Sequence, residues 1–346
     1  MNNDFFFSVI VPCWNCSETI ERLLDSLVQQ QGTAKEEFEV ILCDDGHDDN
    51  WVEKINRYKN LLNIVYIQTK EHKYHCPGNT RRDALPYARG KWITFIDNDD
   101  MFVTDALSLA KKYILENNLQ YVLCMEALEL DINDHDKYKR CGQVLTLLHG
   151  KFYNRDFLNK YNINFKEDFI THEDLFFNTL VLTYLYKEKQ DDFFWVNKVV
   201  YIWVMNYKSI TRSYVFNPLD KNYLEAHFSD YLDALSINYI NILQEDIDKE
   251  TRDNIEYLLV CSIIYGYFYY QGELFYLKEK SKSELNILKK HIYNIMNTCN
   301  ISKKDIIRIC YKDPLVYGLI RKEIPFTSGP FIEDQSFKDF IMTNID

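Results

Sequence analysis

Short hydrophobic runs alternate with helical patterns along the first 130 residues of the chain. The runs rich in β-branched and aromatic residues predict five strands, at 6–11, 39–43, 63–68, 92–96 and 121–126. The intervening patterns predict helices at 17–30, 50–59, 80–88 and 104–117. Ser17 is the expected N-cap of the first helix, and Pro86 predicts that the third is short or bent. Strands that alternate with helices in this way indicate a layered α/β sheet.

Polar residues follow three of the predicted strands at the point where each strand ends. They occupy 12–15 after the first strand, 44–46 after the second and 97–100 after the fourth. The run 92–96 is almost continuously hydrophobic, as expected of a parallel strand that helices cover on both faces. Because ligands of such sheets bind at the carboxyl ends of the strands, we expect all three polar segments to line one edge.

The chain changes character near residue 219, where long helical patterns rich in Ile, Leu and Tyr begin. Two pairs of residues in this part have the spacing of a capping box, Ser281 with Glu284 and Ser302 with Asp305. Each pair predicts the start of a helix. The expected fold class is therefore α/β, a mixed sheet flanked by helices, with an all-α region at the C-terminus.

The composition of the chain argues against several classes of function. The chain carries 40 Lys and Arg against 52 Asp and Glu, a formal net charge of −12, which argues against bulk binding of nucleic acid or of an anionic membrane. The longest nearly hydrophobic stretch, 258–270, is shorter than the about 20 residues of a membrane span. The N-terminus lacks the pattern of a signal peptide, and nine irregularly spaced cysteines favour a reducing compartment. We expect a cytoplasmic protein, with peripheral association at the inner face of the membrane as a variant.

The segment 97–100 contains three acids, Asp97, Asp99 and Asp100, around Asn98. Carboxylates this close repel one another at a strand end unless a cation or hydrogen-bond donors compensate them. A hard divalent ion, Mg²⁺ or Mn²⁺, is one such cation. A solvated turn that caps the next helix explains the acids equally well. Asp45 also has two interpretations. It could bind a nucleotide base, or it could simply form an Asp-Gly turn with Gly46.

Several segments resemble, in order and spacing, the family 2 glycosyltransferases of the GT-A fold. The matching residues are VIVPCWN at 9–15, DDG at 44–46, Arg81, ARGKWITFIDNDD at 88–100, INF at 163–165, EDLFF at 173–177 and SITR at 209–212. The resemblance covers about residues 5–215. It implies a GT-A catalytic domain at 1–215, followed by a helical domain at 216–346.

The resemblance implies a role for each matching residue. Asp45 pairs with the nucleotide base, Asp97 lies near the ribose, Asp99 binds the metal, and Asp174 is the catalytic base that deprotonates the acceptor. Glu173 is the second acid of that pair and a candidate anchor for the acceptor. The other residues expected beside the nucleotide and diphosphate are Pro12, Trp14, Asn15 and Arg81.

This chain departs from the family pattern at several positions. His47, Arg82 and Ala84 replace residues usual in the family, which affects the identity of the donor more than the reaction. The closing segment lacks the family's frequent Arg or His, and Lys208 is the candidate to contact the diphosphate instead.

Asp174 also has a purely structural interpretation. Thr171 and Asp174 have capping-box spacing at the start of a hydrophobic helix, 175–185. A position at a helix N-terminus would lower the pKa of this carboxyl, which suits a base poorly unless the site is dry.

The resemblance implies inverting, metal-dependent transfer of a sugar from a nucleoside-diphosphate sugar, expected to be a UDP-sugar, to a hydroxyl acceptor. The acceptor would be a glycan, glycolipid or polymer of the cell surface, and the cofactor Mn²⁺ or Mg²⁺. A nucleotidyltransferase of related fold is the alternative, although 11–19 contains neither Gly nor Lys for a phosphate loop. A protein or modified nucleic acid is an alternative acceptor, and the helical C-terminus is a candidate surface for homo-oligomers.

Two further patterns favour other chemistry. Cys13 and Cys16 form a C-x-x-C at a strand-to-helix junction, the arrangement of thioredoxin-like redox sites. His72, His75 and Cys76 lie close enough in sequence to suggest zinc, but they lack a fourth ligand at a finger-like spacing. Neither pattern accounts for the acidic segments at the strand ends.

Overall fold

The computed structural model describes residues 5–46, 50–72, 76–134, 137–141, 147–167, 169–190, 193–205, 221–270, 282–312, 339–343 and 345. The chain divides into two compact units. The first comprises Met1–Leu185 with Gln190–Ser213, and the second comprises Tyr186–Lys189 with Tyr214–Asp346.

The first unit is built around a mixed sheet of nine strands. The strands are β1 (Phe7–Cys13), β2 (Phe38–Asp44), β3 (Ile64–Gln68), β4 (Trp92–Phe95), β5 (Met101–Phe102), β6 (Val122–Leu130), β7 (Tyr138–Cys141), β8 (Lys151–Asn154) and β9 (Phe194–Val204). Their order is β3-β2-β1-β4-β8-β6-β9-β5, with β7 paired to β6. The first four strands of this order are parallel, whereas β8 runs antiparallel to both of its neighbours. The predicted mixed sheet is confirmed.

Helices accompany the strands and make up the described part of the second unit. They are α1 (Ile20–Val28), α2 (Trp51–Lys54), α3 (Pro77–Ala84), α4 (Ala106–Glu116), α5 (Arg155–Lys160), α6 (Glu173–Lys187), α7 (Lys221–Ile242), α8 (Lys249–Tyr270), α9 (Lys282–Cys299) and α10 (Lys303–Lys312). None of the described helices combines the length and the hydropathy of a membrane span.

The core of the sheet explains where the polar segments lie. Every residue of β1 is buried, because β2 and β4 pair with its two edges and the hydrophobic face of α1 covers it. Gly90 is required beside this strand, since a Cβ there would lie 2.3 Å from the backbone of Phe7 and Ser8. With β1 in the centre, the carboxyl ends of β1, β2 and β4 lie side by side.

Two predicted helix boundaries are wrong. Ser17 is not the N-cap of α1, because the amides of Thr19 and Ile20 donate to the carbonyl of Cys16 in a preceding turn and the helix begins at Ile20. The third helix begins three residues earlier than expected, at Pro77, because proline suits the first helical position. It ends at Ala84, and Pro86 lies in the 3₁₀ turn that follows.

In the second unit, α8 packs against α7, α9 and α10. The predicted capping box at the start of α10 is present: the amide of Asp305 donates to Ser302 Oγ at 3.2 Å, and the Ser302 amide donates to the Asp305 carboxylate at 3.0 Å. The other predicted capping pair includes Ser281, which lies outside the described residues.

Candidate active site

The ends of β1, β2 and β4 are tied together at one edge of the sheet. Asn98 Nδ2, just after β4, donates to the carbonyl of Pro12 at 3.0 Å, and Thr19 Oγ1 donates to Asn98 Oδ1 at 2.9 Å. The amide of Asp45, just after β2, donates to the carbonyl of Cys13 at 2.9 Å. The three polar segments therefore lie together at one edge, as the sequence predicts.

The residues expected to bind the nucleotide differ in exposure. Trp14 is 45% exposed, and Asn15 is exposed in the left-handed region with a φ of 47°. Asp45 is buried and accepts a hydrogen bond from Thr69 Oγ1 at 3.2 Å. An open indole next to a buried carboxylate gives this edge a stacking surface and a hydrogen-bond acceptor, the two features that recognition of a base requires.

Asp44 stabilises the turn beside Asp45. One carboxylate oxygen accepts from the amide of Gly46 at 3.0 Å, and the other accepts from the hydroxyl of Tyr66 at 2.5 Å. Because both oxygens are used within the protein, the two neighbouring acids have different roles, and Asp44 fixes the backbone that presents Asp45.

Arg81 is the centre of the second part of the site. Its guanidinium is 3% exposed and donates to Asp97 at 2.5 Å, to Asp174 at 2.9 Å and to Glu173 at 3.1 Å. These partners come from the end of β4 and from the first turn of α6, whereas Arg81 itself lies on α3. One side chain thus joins the acid expected near the ribose to the expected catalytic pair.

Burial raises the pKa values of these acids, whereas the positive charge of Arg81 lowers them. Burial disfavours the charged form of Asp97, but Arg81 and His149 outweigh it and lower the pKa of this carboxyl well below its ordinary value. Burial dominates at Asp174 and raises its pKa to about 7 against the opposing effect of Arg81. Burial also raises the pKa of Glu173. An acid with a pKa near neutrality can exchange a proton at physiological pH.

The structure does not support the capping interpretation of Asp174. Helix α6 begins at Glu173, and the carbonyl of His172 accepts the first helical hydrogen bond, from Phe176, at 2.9 Å. His172 is therefore the N-cap, and Thr171 lies one residue too early for a box with Asp174. The exception of a dry site applies here, because burial raises the pKa of Asp174 instead of leaving it lowered by the helix N-terminus.

A group of side chains that could hold a metal lies next to this cluster. It comprises Asp97, Asp100 and His149, whose ligand atoms all lie within 4.8 Å of one another. His149 is half-buried, with Nε2 3.9 Å from Asp97 Oδ2 and with its ring stacked on Tyr201 at 4.4 Å. Its Nδ1 is buried and makes no hydrogen bond.

His149 is a candidate site residue that no motif of the sequence indicates. It lies in the loop before β8, far in sequence from the acids, and it belongs to no spaced motif. Only the antiparallel pairing of β8 with β4 brings it beside Asp97. A lone histidine before a glycine carries no signal of this role.

The expected metal ligand Asp99 is not a member of that group among the described residues. Its backbone carbonyl accepts a hydrogen bond from Arg22 Nη2, so α1 holds the turn in which it lies. Lys208 and the segment 209–212 lie outside the described residues. Their expected contacts stay predictions.

Among the described residues, neither of the two competing patterns forms a reactive thiol or metal site. Cys13 and Cys16 are both fully buried, and burial raises the pKa of the Cys13 thiol well above its ordinary value. This environment opposes the accessible thiolate of a redox motif. His72 Nε2 lies 3.0 Å from Asp83 Oδ2, an interaction that ties it to α3, and His75 lies outside the described residues.

Comparison with known proteins identifies relatives of the chain. Residues 8–188, more than half of the chain, match the family described as glycosyl transferase family 2. Poly(ribitol-phosphate) beta-N-acetylglucosaminyltransferase TarS of Staphylococcus aureus is 31% identical over 49% of this chain and 31% of its own length. Poly(ribitol-phosphate) beta-glucosyltransferase of Bacillus spizizenii is 33% identical over 34% of this chain and 18% of its own length. The chain therefore spans less than a third of these relatives.

A longer but weaker match is the minor teichoic acid biosynthesis protein GgaA of Bacillus subtilis, 23% identical over 87% of this chain and 77% of its own length. Among solved structures, S. aureus TarS 1–349 in complex with UDP-GlcNAc superposes with a TM-score of 0.68 at 20% identity, covering 90% of this chain and 86% of that chain. This likeness shows a shared fold. The chain has the GT-A fold and belongs to glycosyl transferase family 2.

Proposed function

We propose that the chain is an inverting, metal-dependent glycosyltransferase that moves a sugar from a UDP-sugar to a hydroxyl of a surface polymer. The observation that carries this proposal is the contact of Arg81 with both Asp97 and the Glu173–Asp174 pair. Arg81 thereby places Asp97, on the side where the diphosphate leaves, next to the acids that deprotonate the acceptor. The catalytic domain spans 1–215, and 216–346 forms a helical domain.

On the donor side, the residues at the ends of β1 and β2 bind the nucleotide. Trp14 stacks on the base, and the buried Asp45 carboxylate accepts the base N–H. Pro12 and Asn15 shape the turn that carries the indole, and Asn98 holds this turn to the segment 97–100 through the Pro12 carbonyl. Arg81 donates to the diphosphate oxygens, and Lys208 adds a second cation there.

On the acceptor side, Asp174 is the general base. Its pKa of about 7 leaves a large ionised fraction at neutral pH and still makes it basic enough to take a hydroxyl proton. Arg81 orients the carboxylate through Oδ1, and Glu173 anchors the acceptor. Deprotonation on the face opposite the leaving diphosphate gives in-line displacement, so the transferred sugar inverts its anomeric configuration.

The residues present fit a divalent cation, Mn²⁺ or Mg²⁺. One guanidinium faces three carboxylates, which leaves two negative charges uncompensated when all are ionised. Nε2 of the half-buried His149 lies 3.9 Å from Asp97 Oδ2 and adds a nitrogen donor beside this carboxylate. Asp97, Asp99 and His149 would hold the ion. When bound, such an ion neutralises the charge that develops on the departing diphosphate.

We infer the acceptor class from the relatives. Two of them act on poly(ribitol phosphate), and a third takes part in minor teichoic acid synthesis. The proposed acceptor is accordingly a polyol-phosphate polymer of the teichoic type. The enzyme would meet its donor in the cytoplasm and its acceptor at the inner face of the membrane, with homo-oligomers formed through the helical C-terminus.

The proposal is tested by product analysis. The protein is incubated with Mn²⁺, UDP-GlcNAc or UDP-glucose, and poly(ribitol phosphate). We expect free UDP and a product sugar with the anomeric configuration opposite to that of the donor, read by NMR. Release of pyrophosphate instead would support the nucleotidyltransferase alternative and contradict the proposal.

A matched pair of variants tests the assigned base. Asp174→Asn should keep donor binding and lose transfer. Asp156→Asn should change neither, because Asp156 is an exposed acid in the first turn of another helix, α5. Equal transfer by both variants would remove Asp174 from the mechanism.

A further inference from the structure

Asp100 has a different environment from the other acids of the segment 97–100. It is 1% exposed, and its carboxylate accepts from the hydroxyl of Tyr201 at 2.5 Å and from the amide of Val204 at 2.8 Å. Each of its two oxygens thus has a donor from β9. A carboxylate held in this way is compensated by the protein itself.

Tyr201 connects this acid to the backbone of Asp97. Its hydroxyl donates to Asp100 and accepts from the amide of Asp97 at 3.2 Å. The side chain is fully buried, and its ring stacks on His149. One hydroxyl therefore fixes both ends of the acidic turn.

The pairing of β5 with β9 places these groups. Phe102, two residues after Asp100, is opposite Tyr201 in the ladder, and the amide of Val103 donates to the carbonyl of Val200 at 3.0 Å. The acidic turn is thus enclosed between β4 and β5, with β9 alongside. Its geometry depends on the Tyr201 side chain and the Val204 amide of β9, a strand that lies about 100 residues later in the sequence.

We propose that Tyr201 and Asp100 are positioning residues that hold the metal-binding turn in place, and that Asp100 supports this turn instead of binding the metal. The inference rests on the proposed function in one respect, namely that the turn binds a divalent cation. The three neighbouring acids then have two separate roles. Asp97 and Asp99 face the cation, and Asp100 faces the protein.

The first test needs no metal. Hydrogen exchange of the Asp97 amide is measured in wild type and in Tyr201→Phe, which removes the accepting oxygen and keeps the ring. We expect exchange to quicken about tenfold, as for the loss of one buried hydrogen bond. Unchanged exchange would overturn the inference.

Tyr58→Phe is the matched control. Tyr58 is buried, and its hydroxyl donates to the carboxylate of Asp25 at 2.6 Å, an acid of α1 outside the acidic turn. Both substitutions remove a buried hydroxyl that bonds a carboxylate, so both should lower the melting temperature. Only Tyr201→Phe should alter the Asp97 amide.

The second test measures Mn²⁺ binding in the presence of UDP by electron paramagnetic resonance of the free ion. We expect Tyr201→Phe and Asp100→Asn to weaken Mn²⁺ binding to a similar extent, about tenfold, and Tyr58→Phe to leave it unchanged. If Asp100 were a ligand, Asp100→Asn would abolish Mn²⁺ binding while Tyr201→Phe, which releases a carboxylate oxygen, would not weaken it. That pattern would overturn the inference.

The two tests separate this inference from the proposed function. A wild-type protein that takes up no Mn²⁺ would contradict the proposed function and the metal part of the inference together. The exchange of the Asp97 amide would still decide whether Tyr201 holds the turn.

Discussion

Arg81 donates hydrogen bonds to three carboxylates while its guanidinium is almost completely buried. A buried charge is costly unless it is paired, and loss of one partner leaves the others uncompensated. The arrangement therefore fixes Asp97 and Asp174 relative to each other before any substrate binds. Preorganisation of this kind keeps the proposed base, Asp174, in a fixed position relative to Asp97.

The raised pKa of Asp174 predicts the pH dependence of the reaction. The base must be ionised, so kcat/KM should rise about tenfold per pH unit in acid and level off above a pH of about 7. The measurement is a pH profile of kcat/KM with saturating Mn²⁺. A profile that is flat across this range would contradict the role of Asp174.

The control for this profile is Mn²⁺ affinity at each pH. Loss of bound Mn²⁺ in acid would also reduce activity, because metal binding depends on pH. We expect Mn²⁺ affinity to change less than kcat/KM over the same interval.

At the scale of secondary-structure elements, the site depends on the close approach of α3 and α6. Gly78 lies in the first turn of α3, and a Cβ there would lie 2.8 Å from Cβ and 2.9 Å from Cγ of Glu173. Glycine is thus needed for the packing of two helices that carry Arg81 and its partners.

Gly78→Ala should consequently damage activity more than stability. Alanine favours the helix, but Glu173 must shift and carry Asp174 with it. A displacement of about 1 Å in a catalytic group costs about a hundredfold in rate, and we expect kcat/KM to fall by this order while the melting temperature changes by only a few degrees. Wild-type kcat/KM in this variant would show that the close approach has no functional role.

Strands β1 to β4 and the start of β6 could be predicted from the sequence, but β5 and the strands that follow β6 could not. The first four predicted strands match β1 to β4 within about two residues, and the fifth matches the start of β6. Strands β1, β2 and β4 are buried throughout, and buried parallel strands are continuous hydrophobic runs. By contrast, β5 has two residues and β8 has four, too few for a periodic pattern. Their positions come from pairing across the sheet.

The same difference decides which site residues could be predicted. Asp97, Arg81 and Asp174 match the motifs of the family, although nothing in the local sequence indicates that Arg81 joins them. His149 lies just before β8 and Tyr201 lies on β9, and neither residue matches a motif. Their roles follow from long-range pairing that a local pattern does not encode.

At the scale of the whole molecule, the net charge of −12 opposes the proposed acceptor. A polyol-phosphate polymer carries repeated negative charges, and like charges slow association most at low ionic strength. Binding of the proposed acceptor therefore requires local contacts that act against the negative potential of the whole chain.

This repulsion predicts an unusual salt dependence. Raising the ionic strength from about 20 to about 200 mM should lower the KM for poly(ribitol phosphate), because screening removes the repulsion. The KM for a short neutral acceptor analogue should not change, which provides the control. A KM for the polymer that increases steeply with salt would indicate a basic binding surface and contradict this expectation.

The central claim is that the acids beside Arg81 bind a UDP-sugar together with a divalent cation, and isothermal titration calorimetry tests it most directly. UDP-GlcNAc and UDP-glucose are titrated into wild type, Asp97→Ala and Asp174→Asn, each with and without Mn²⁺. We predict Mn²⁺-dependent binding of at least one donor by wild type and by Asp174→Asn, and binding at least about tenfold weaker by Asp97→Ala. Failure of Mn²⁺ to promote binding of either donor, or equal binding by Asp97→Ala, would contradict the claim.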